Sequence, residues 1–377
     1  MTTATPAPRQ LGRSGLTVSA VGLGCNTLGA TVPADDAPAV VHAALDAGVT
    51  FFDTADIYGG TPGQSEEILG RALGRHRADV VVATKFGMDV DGLNGPDWGV
   101  RGSRRYVRRA IEGSLRRLGT DHVDLYQLHT PDPRTPIEET LDALDDLVRD
   151  GLVRYVGSSN FRAWQVVDAD WTARSRGTAR FVSAQNEYSL LNRSAEAELV
   201  PALRATGVGL LPYFPLASGL LTGKYRRGEQ APAGTRLTRR PERLAAADFD
   251  RIEALERIAA QAGVSLLALA IGGLAAQPAV ASVIAGARTP DQVRALGHPP
   301  QGGQEGRVEV EAVQEGAGGR VGHQSGSFRR QRCRTVGVHQ RGVAPGTEDA
   351  ADRGAGHQFL GQPHGGVDQE PVGELLA

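Results

Sequence analysis

Two cysteines, two methionines and three tryptophans are all that this chain of 377 residues contains of those types. Cys25 and Cys333 are too few for a disulfide framework, and their spacing with the histidines matches no zinc-binding pattern, so we predict no metal site. The formal net charge of -2 provides no basic surface for nucleic acid. No stretch approaches the roughly 18 to 20 apolar residues of a membrane span, and the segment MTTATPAPRQ lacks the features of a signal peptide. We therefore expect a cytoplasmic protein that binds neither nucleic acid nor membranes, and the sequence gives no indication of oligomeric state.

Short apolar segments typical of β-strands recur from about residue 11 to residue 295, and helical segments separate them. Most are continuously apolar, as parallel strands buried on both faces are. The predicted strands are Val18–Gly22, Thr50–Asp53, Val80–Thr84, Val123–Leu128, Val153–Gly157, Phe181–Ala184, Val208–Leu211 and Ala281–Ala285. Eight strands with seven or eight helical connections favour a closed (β/α)8 barrel, the TIM-barrel fold of the α/β class, over an open doubly wound sheet.

The segment Thr135–Gly151 shows the helical pattern. Thr135 and Glu138 have the spacing of a capping box, in which two side chains satisfy backbone amides of the first helical turn. Gly151 supplies the left-handed residue that ends the helix. The apolar stripe of this helix consists of Ile137, Leu141, Leu144 and Val148.

Polar residues with chemical function follow three successive predicted strands. Asp53 ends the second strand and Tyr58 follows in its loop, while Lys85 follows the third strand and His129 the fourth. In a barrel these strand ends form one rim, where active sites lie. Each residue alone has an ordinary explanation as a loop cap, a packing residue or a solvated group, but the combination favours a catalytic group.

The chemistry of these four residues suits proton transfer. A lysine that loses hydration near the barrel mouth needs a carboxylate partner to stay charged, and Asp53 can be that partner. We expect the Lys85 ammonium to favour the phenolate of Tyr58 and so to lower its pKa from the usual value of about 10. Such a tyrosine can give a proton to a forming alkoxide near neutral pH, while His129 holds the substrate carbonyl in line.

These segments and several others, in the same order, resemble the aldo-keto reductase family from about residue 11 to residue 295. The matching segments are LGRSGLTVSAVGLGCNTLG, FFDTADIYG, VVATKFG, HVDLYQLH, GLVRYVGSSNF, AQNEYSLLNR, LLPYFPLASGLLTGKY and SVIAGARTPDQV. The pattern is most similar to bacterial members related to the voltage-gated potassium channel β-subunits. The resemblance implies a barrel that reduces an aldehyde or ketone with NADPH, a catalytic tetrad of Asp53, Tyr58, Lys85 and His129, and Tyr58 as the proton donor.

The resemblance also implies a binding site for NADP(H). Ser159, Asn160 and Gln185 would hold the carboxamide, and Tyr213 would stack on the nicotinamide ring. Arg288 suits the adenosine 2′-phosphate because a guanidinium can bind it bidentately. The other residues assigned to the cofactor are Cys25, Asn26, Phe214, Leu216, Gly219, Lys224, Gly286 and Gln292. Rim packing for Tyr213 and a solvated position for Arg288 are the alternatives.

The substrate is expected to be a small carbonyl compound, and the loops at the rim determine which one. Trp98, in the loop Met88–Gly102, is a candidate wall of the substrate pocket or equally an anchor of its loop. A second hypothesis is a regulatory subunit that binds NADPH and a partner protein with little turnover. A third is an inactive product of a frameshifted gene. The complete tetrad favours the reductase.

Residues 297–377 differ in composition from the chain before them. They contain 18 Gly and 9 Gln but no Ile, Lys, Tyr, Trp, Asn or Met, so we expect no packed core there. We predict a barrel over residues 1–296 with an incomplete last helix, then a low-complexity tail that is a disordered extension or the product of a shifted reading frame. We favour the frameshift because apolar periodicity and family resemblance end together at Leu296, where the resemblance implies an asparagine four residues after Gln292.

Overall fold

The computed structural model describes residues 8–296, and the predictions for the tail lie outside them. The strands are β1 (Arg9–Gln10), β2 (Thr17–Val18), β3 (Val21–Gly24), β4 (Phe51–Asp53), β5 (Val81–Phe86), β6 (Val123–Leu128), β7 (Val153–Ser159), β8 (Phe181–Glu187), β9 (Gly209–Tyr213) and β10 (Val283–Gly286). The α-helices are α1 (Ala37–Asp46), α2 (Gln64–Leu73), α3 (Arg104–Leu118), α4 (Ile137–Arg149), α5 (Ala163–Arg176), α6 (Leu199–Thr206), α7 (Pro241–Ala245), α8 (Phe249–Gln261), α9 (Leu266–Ala275) and α10 (Pro290–Leu296). Short 3-10 helices span Cys25–Thr27, Gly74–Asp79, Ser194–Glu196, Ala217–Thr222 and Arg236–Arg239.

Eight parallel strands form the barrel in the order β10, β3, β4, β5, β6, β7, β8, β9. The barrel closes between β9 and the residues before β10, where Leu210 pairs with Val280 and donates its backbone N–H to Ala279 O at 2.7 Å. Helices follow the strands and cover the outside, so the strands are buried on both faces, as their continuous apolar character predicted. The predicted (β/α)8 barrel is confirmed.

The first predicted strand, Val18–Gly22, differs from the structure. Val18 belongs to an antiparallel hairpin in which it pairs with Arg9, and the barrel strand β3 begins only at Val21. The sequence does not show this break, because Val18 and Val21 are both apolar and buried, the first in the hairpin and the second in the barrel strand. The hairpin contributes Leu11, Leu16 and Val18 to a buried cluster with residues of the barrel strands, namely Phe51, Ala83, Leu125, Leu211, Ala281 and Ile284.

The predicted capping box at the start of α4 is wrong. Thr135 Oγ1 donates to Asp132 Oδ2 at 2.7 Å, and no side chain of the described residues caps this helix. A hydrogen bond to a carboxylate is stronger than one to a neutral group, so the Thr135 hydroxyl donates to the nearby Asp132. The rest of the pattern is confirmed, since Leu141 and Leu144 are buried and Gly151 has a φ of 75°.

Apolar side chains between α8, α9 and the loop after β9 form a separate cluster that includes Leu221, Ile252 and Leu269. It supports that loop, which lies at the end of the barrel where the functional residues converge. Among residues 8–296, no single helix is long and apolar enough to cross a membrane, although α8 and α9, bent by 90° at their break, meet the length and composition test as a pair.

Candidate active site

The ends of β4 and β5 bring three of the predicted catalytic residues together. Lys85 Nζ lies 2.7 Å from Asp53 Oδ2, 2.9 Å from Thr54 O and 3.3 Å from Tyr58 OH. The Lys85 side chain is 0% exposed and that of Asp53 is 3% exposed. The ammonium therefore has three oxygen partners in place of water, which is what a buried charge requires.

The second carboxylate oxygen of Asp53 is held by two amides. Gln185 Nε2 donates to Asp53 Oδ1 at 2.9 Å and Gln127 Nε2 donates to it at 3.3 Å. The strand register places Gln127 beside Lys85 on one side and Gly157 on the other, and it places Gln185 beside Ser159. A Cβ at Gly157 would lie 2.1 Å from Ser183 Oγ, so only glycine leaves room between these strands.

The expectation that Tyr58 has a lowered pKa is wrong. Burial raises the pKa of Tyr58 above its usual value, and this outweighs the lowering by the Lys85 ammonium, while the Asp53 carboxylate adds a further increase. The ring itself is partly exposed at the barrel mouth. Tyr58 is consequently a neutral phenol near pH 7, with its proton available for donation.

His129 completes the group from the end of β6. Its ring meets the Tyr58 ring edge to face, with 5.7 Å between centroids and an interplanar angle of 83°. Burial and the nearby Lys85 charge lower the pKa of His129 well below its usual range. The imidazole is therefore neutral, and its buried Nδ1 has no hydrogen-bond partner among residues 8–296. A neutral imidazole carries an N–H on one ring nitrogen and can donate a hydrogen bond to a carbonyl oxygen.

Four residues predicted to bind the nicotinamide lie on adjacent strand ends. Asn160 Oδ1 accepts from Tyr213 OH at 2.8 Å, and Asn160 Nδ2 donates to His129 O at 2.9 Å. Ser159 Oγ donates to Gln185 O at 2.9 Å. Asn160 has a φ of 59°, a left-handed conformation that turns its amide toward the rim.

The loop after β9 carries four more of the residues predicted to bind the cofactor, namely Phe214, Leu216, Gly219 and Lys224. Phe214, Ala217 and Ser218 have φ values of 51°, 46° and 60°, and Gly219 has a φ of 94°. Non-glycine residues in this conformation are uncommon and cluster at functional sites. Lys224 is exposed at its end, and Leu216 packs on the apolar cluster below.

The residues after β10 lie beside those after β3. Gly286 pairs with Gly24, and Thr27 Oγ1 donates to Ala287 O at 3.0 Å, which joins the two loops. Asn26, in the 3-10 helix after β3, is partly exposed, whereas Cys25 is fully buried. Burial raises the pKa of the Cys25 thiol, so this cysteine is an unreactive neighbour of the tetrad.

Arg288 and Gln292 meet at the start of α10. Arg288 N donates to Gln292 Oε1 at 2.9 Å, and Arg288 Nη1 donates to Gly234 O at 2.9 Å. Gln292 is exposed and Arg288 is partly exposed. Both side chains are thus held in place at the surface of the rim.

Sequence reasoning missed Arg236, which belongs to the same region. Its guanidinium lies 5.2 Å from the centroid of the Phe214 ring. Partial burial of this group and repulsion from Arg240, Arg243 and Arg288 lower the pKa of Arg236. Four guanidiniums near one another favour an anion among them. Only the folded loops bring these arginines together, because Arg288 lies far from the others in sequence.

Trp98 is placed at the surface of the loop after β5. Its side chain is 63% exposed, and the guanidinium of Arg105 lies 4.4 Å from the ring centroid. Arg134 Nη2 donates to Trp98 O at 2.7 Å. Its role as a pocket wall stays a prediction.

A buried polar network behind Tyr58 was also missed. Asp56 Oδ2 accepts from Asn94 Nδ2 at 2.9 Å, and Glu66 Oε2 accepts from Arg117 Nε at 2.6 Å. Burial and repulsion by Glu66 raise the pKa of Asp56 well above its usual value. Because Asn94 lies in the loop after β5 and Asp56 two residues before Tyr58, this network links the two loops. The motif FFDTADIYG contains Asp56, but the sequence does not reveal its burial.

A model of the aldo/keto reductase family matches residues 20–296. The chain belongs to the aldo/keto reductase family. It is 39% identical over 290 residues to the uncharacterized oxidoreductase YrpG of Bacillus subtilis (strain 168), a match covering 75% of this chain and 88% of that protein. It is 38% identical over 296 residues to a probable voltage-gated potassium channel subunit beta of Oryza sativa subsp. japonica, covering 76% and 88%. It is 34% identical over 304 residues to the L-glyceraldehyde 3-phosphate reductase of Escherichia coli O157:H7, covering 76% and 85%.

The membership and the oxidoreductase relatives together make this aldo/keto reductase an NAD(P)-dependent carbonyl reductase in the general sense. The resemblance inferred from the sequence, including its potassium channel β-subunit branch, is confirmed.

Proposed function

We propose that this protein reduces an aldehyde or ketone to an alcohol with NADPH, and that Tyr58 donates the proton. The observation that supports this most strongly is the hydrogen-bonded series Asp53, Lys85 and Tyr58, with His129 facing the same phenol. Proton transfer from Tyr58 to a carbonyl oxygen requires no further side chain of this protein.

The chemistry follows from the protonation states of these residues. When bound, the reduced nicotinamide supplies a hydride to the carbonyl carbon. Tyr58 OH gives its proton to the carbonyl oxygen as negative charge develops there, and the Lys85 ammonium stabilises the phenolate that is left. Asp53 fixes Lys85 in place, and neutral His129 donates a hydrogen bond that orients the carbonyl. The products are an alcohol and the oxidised cofactor.

The rim residues fit a phosphorylated dinucleotide. Arg240, Arg243 and Arg288 each repel the Arg236 guanidinium, so an anion beside Arg236 would relieve that repulsion. We assign Arg288 and Arg236 to the 2′-phosphate end of NADPH, with Lys224 and the loop after β9 at the pyrophosphate. Ser159, Asn160, Gln185 and Tyr213 are assigned to the nicotinamide end, together with the neighbouring segments after β3 and β10.

The test of this function is purified full-length protein mixed with NADPH and a panel of aldehydes and ketones, with the loss of reduced-nicotinamide absorbance as the readout. We expect turnover of at least one carbonyl. Tight binding of NADPH with no turnover of any carbonyl would instead favour a regulatory subunit, the role in the name of the rice relative.

The cofactor preference is tested with Arg288→Ala and the control Arg149→Ala. Loss of a charge-assisted contact to the 2′-phosphate costs roughly 1.5 to 3 kcal/mol, so Arg288→Ala should weaken NADPH binding by about ten- to a hundredfold and leave NADH binding nearly unchanged. Arg149 lies at the last residue of α4, at the opposite end of the barrel, and its loss removes the same charge without either effect. Equal weakening of both cofactors would contradict the assignment of Arg288.

A further inference from the structure

Asn94 is a buried amide in the segment 87–103, which joins β5 to α3 at the rim of the barrel. It is 7% exposed, whereas Trp98 in the same segment is 63% exposed. A buried amide needs hydrogen bonds at its oxygen and at its nitrogen, and Asn94 has both. Its Nδ2 donates to Asp56 Oδ2 at 2.9 Å, and its Oδ1 accepts from Arg117 Nη1 at 3.4 Å.

The Asp56 carboxyl depends on this amide for its position. Asp56 and Glu66 are both fully buried near the Arg117 guanidinium. Arg117 Nε donates to Glu66 Oε2 at 2.6 Å, so the cation pairs with Glu66. Oδ1 of Asp56 has no hydrogen-bond partner among residues 8–296. The contact that holds the Asp56 side chain is consequently the hydrogen bond from Asn94.

Asp56 lies within the turn that places Tyr58. Tyr58 N donates to Ala55 O at 3.1 Å, so Asp56 occupies the first central position of the turn 55–58. The Tyr58 hydroxyl is held by Lys85 Nζ at 3.3 Å, a long hydrogen bond. The position of the hydroxyl therefore depends on the turn as well as on Lys85.

The other end of the segment 87–103 is attached close to His129. Gly102 N donates to Asp132 Oδ2 at 2.7 Å. Asp132 lies three residues after His129. The segment thus runs from the turn that carries Tyr58 to the loop that follows His129, and these are the two side chains assigned to the carbonyl oxygen.

We propose, on the basis of the proposed role of Tyr58 as proton donor, that Asn94 is a positioning residue for proton transfer. Asn94 holds Asp56, Asp56 fixes the turn 55–58, and the turn keeps the Tyr58 hydroxyl at the place where the carbonyl oxygen lies. Asn94 acts through Asp56 and not by contact with the reacting atoms. Its loss should therefore lower kcat and leave NADPH binding unchanged.

The experiment compares Asn94→Ala with the wild type in the full-length protein. A displacement of about 1 Å between reacting groups costs up to about a hundredfold in rate, so kcat for carbonyl reduction should fall about ten- to a hundredfold, with the NADPH dissociation constant within about twofold. The turn should also open more easily, so hydrogen–deuterium exchange of the peptide 54–60 should become about tenfold faster. Cofactor binding and melting temperature establish that the variant is folded.

The control for a purely structural effect is Asp145→Ala. Asp145 is a buried carboxylate on α4, and its Oδ1 accepts from Ala179 N at 2.8 Å at the opposite end of the barrel. Its loss should lower the melting temperature, because it leaves a backbone amide without its partner. It should change neither kcat nor the exchange of the peptide 54–60.

Variants of Asp56 test the contact itself. Asp56→Ala removes the acceptor of Asn94 Nδ2 and should reproduce the loss of kcat in Asn94→Ala. Asp56→Asn keeps an acceptor oxygen at this position and should recover most of the rate that Asp56→Ala loses. The double variant Asp56→Ala/Asn94→Ala should be no slower than either single variant, because both changes remove the same contact.

The proposal is overturned if the exchange of the peptide 54–60 is unchanged in Asn94→Ala, or if it is faster while kcat stays at the wild-type value. It is also overturned if the losses of the two single variants multiply in the double variant. A wild type that turns over no carbonyl contradicts the proposed function instead, and the exchange measurement then still decides whether Asn94 holds the turn.

Discussion

The Lys85 ammonium pairs with the Asp53 carboxylate and also lies beside the Tyr58 hydroxyl. Replacing Lys85 separates the effect of the first contact on stability from the effect of the second on turnover. In Lys85→Met, Asp53 keeps the amides of Gln127 and Gln185 on Oδ1 but loses the cation 2.7 Å from Oδ2. Breaking a buried ion pair by removing one partner costs about 3 to 5 kcal/mol, and the two remaining amides favour the lower end, about 3 kcal/mol. The double variant Asp53→Asn/Lys85→Met removes both charges of this pair and should recover most of that stability.

Activity should not recover with stability. The phenolate of Tyr58 has no cation beside it in either variant, so we expect turnover to fall at least a hundredfold in both, the scale of losing a general acid. Urea unfolding measures the stability and carbonyl reduction measures the turnover. The reasoning is refuted if Lys85→Met turns over near the wild-type rate, or if the double variant regains activity together with stability.

Four further predictions concern the pKa values of Tyr58 and Asp56, the arginine cluster and the tail. Because burial raises the pKa of Tyr58, the reduction rate at saturating substrate should stay level up to about pH 10 and then fall as the phenol ionises, while alcohol oxidation rises; a reduction rate already halved at pH 8 would contradict this. The pKa of Asp56 is higher in the folded than in the unfolded protein, so the folded state loses stability as the pH rises from the unfolded pKa toward the folded pKa. Asp56→Asn should therefore increase the melting temperature at pH 7.5, and the gain should shrink toward pH 4. Arg236→Ala should weaken NADPH binding by about tenfold, measured by fluorescence titration, and no change would remove Arg236 from the site. Reading the other frames of the gene after codon 295 should yield an Asn codon followed by an amphipathic helix, and a gene without them carries a genuine extension.

The barrel and the rim residues were predictable because both depend on local sequence. A buried parallel strand needs a continuous apolar run, and a polar residue directly after such a run must lie at the rim. His129 follows β6 in this way, whereas Lys85 is the next-to-last residue of β5, after the apolar part of that strand, and both positions could be anticipated. The family resemblance then supplied roles that the spacing alone did not.

The features that were missed depend on contacts between distant segments. The net shift of the Tyr58 pKa is a balance of burial against one charge, and a sequence gives the charge without the burial. Thr135 has the spacing of a helix cap, but its hydroxyl is taken by Asp132, whose position is set by the loop. The environments of Arg236 and Asp56 likewise depend on residues that are distant in sequence and that the fold brings near.

The most direct test of the central claim is the turnover of Tyr58→Phe. This change removes one hydroxyl and leaves the ring, so the buried pair of Lys85 and Asp53 and the edge-to-face contact with His129 stay in place. We predict a loss of carbonyl reduction of at least a hundredfold, with NADPH affinity within a few-fold of the wild type. Near-normal reduction by Tyr58→Phe would show that another group donates the proton and would contradict the account.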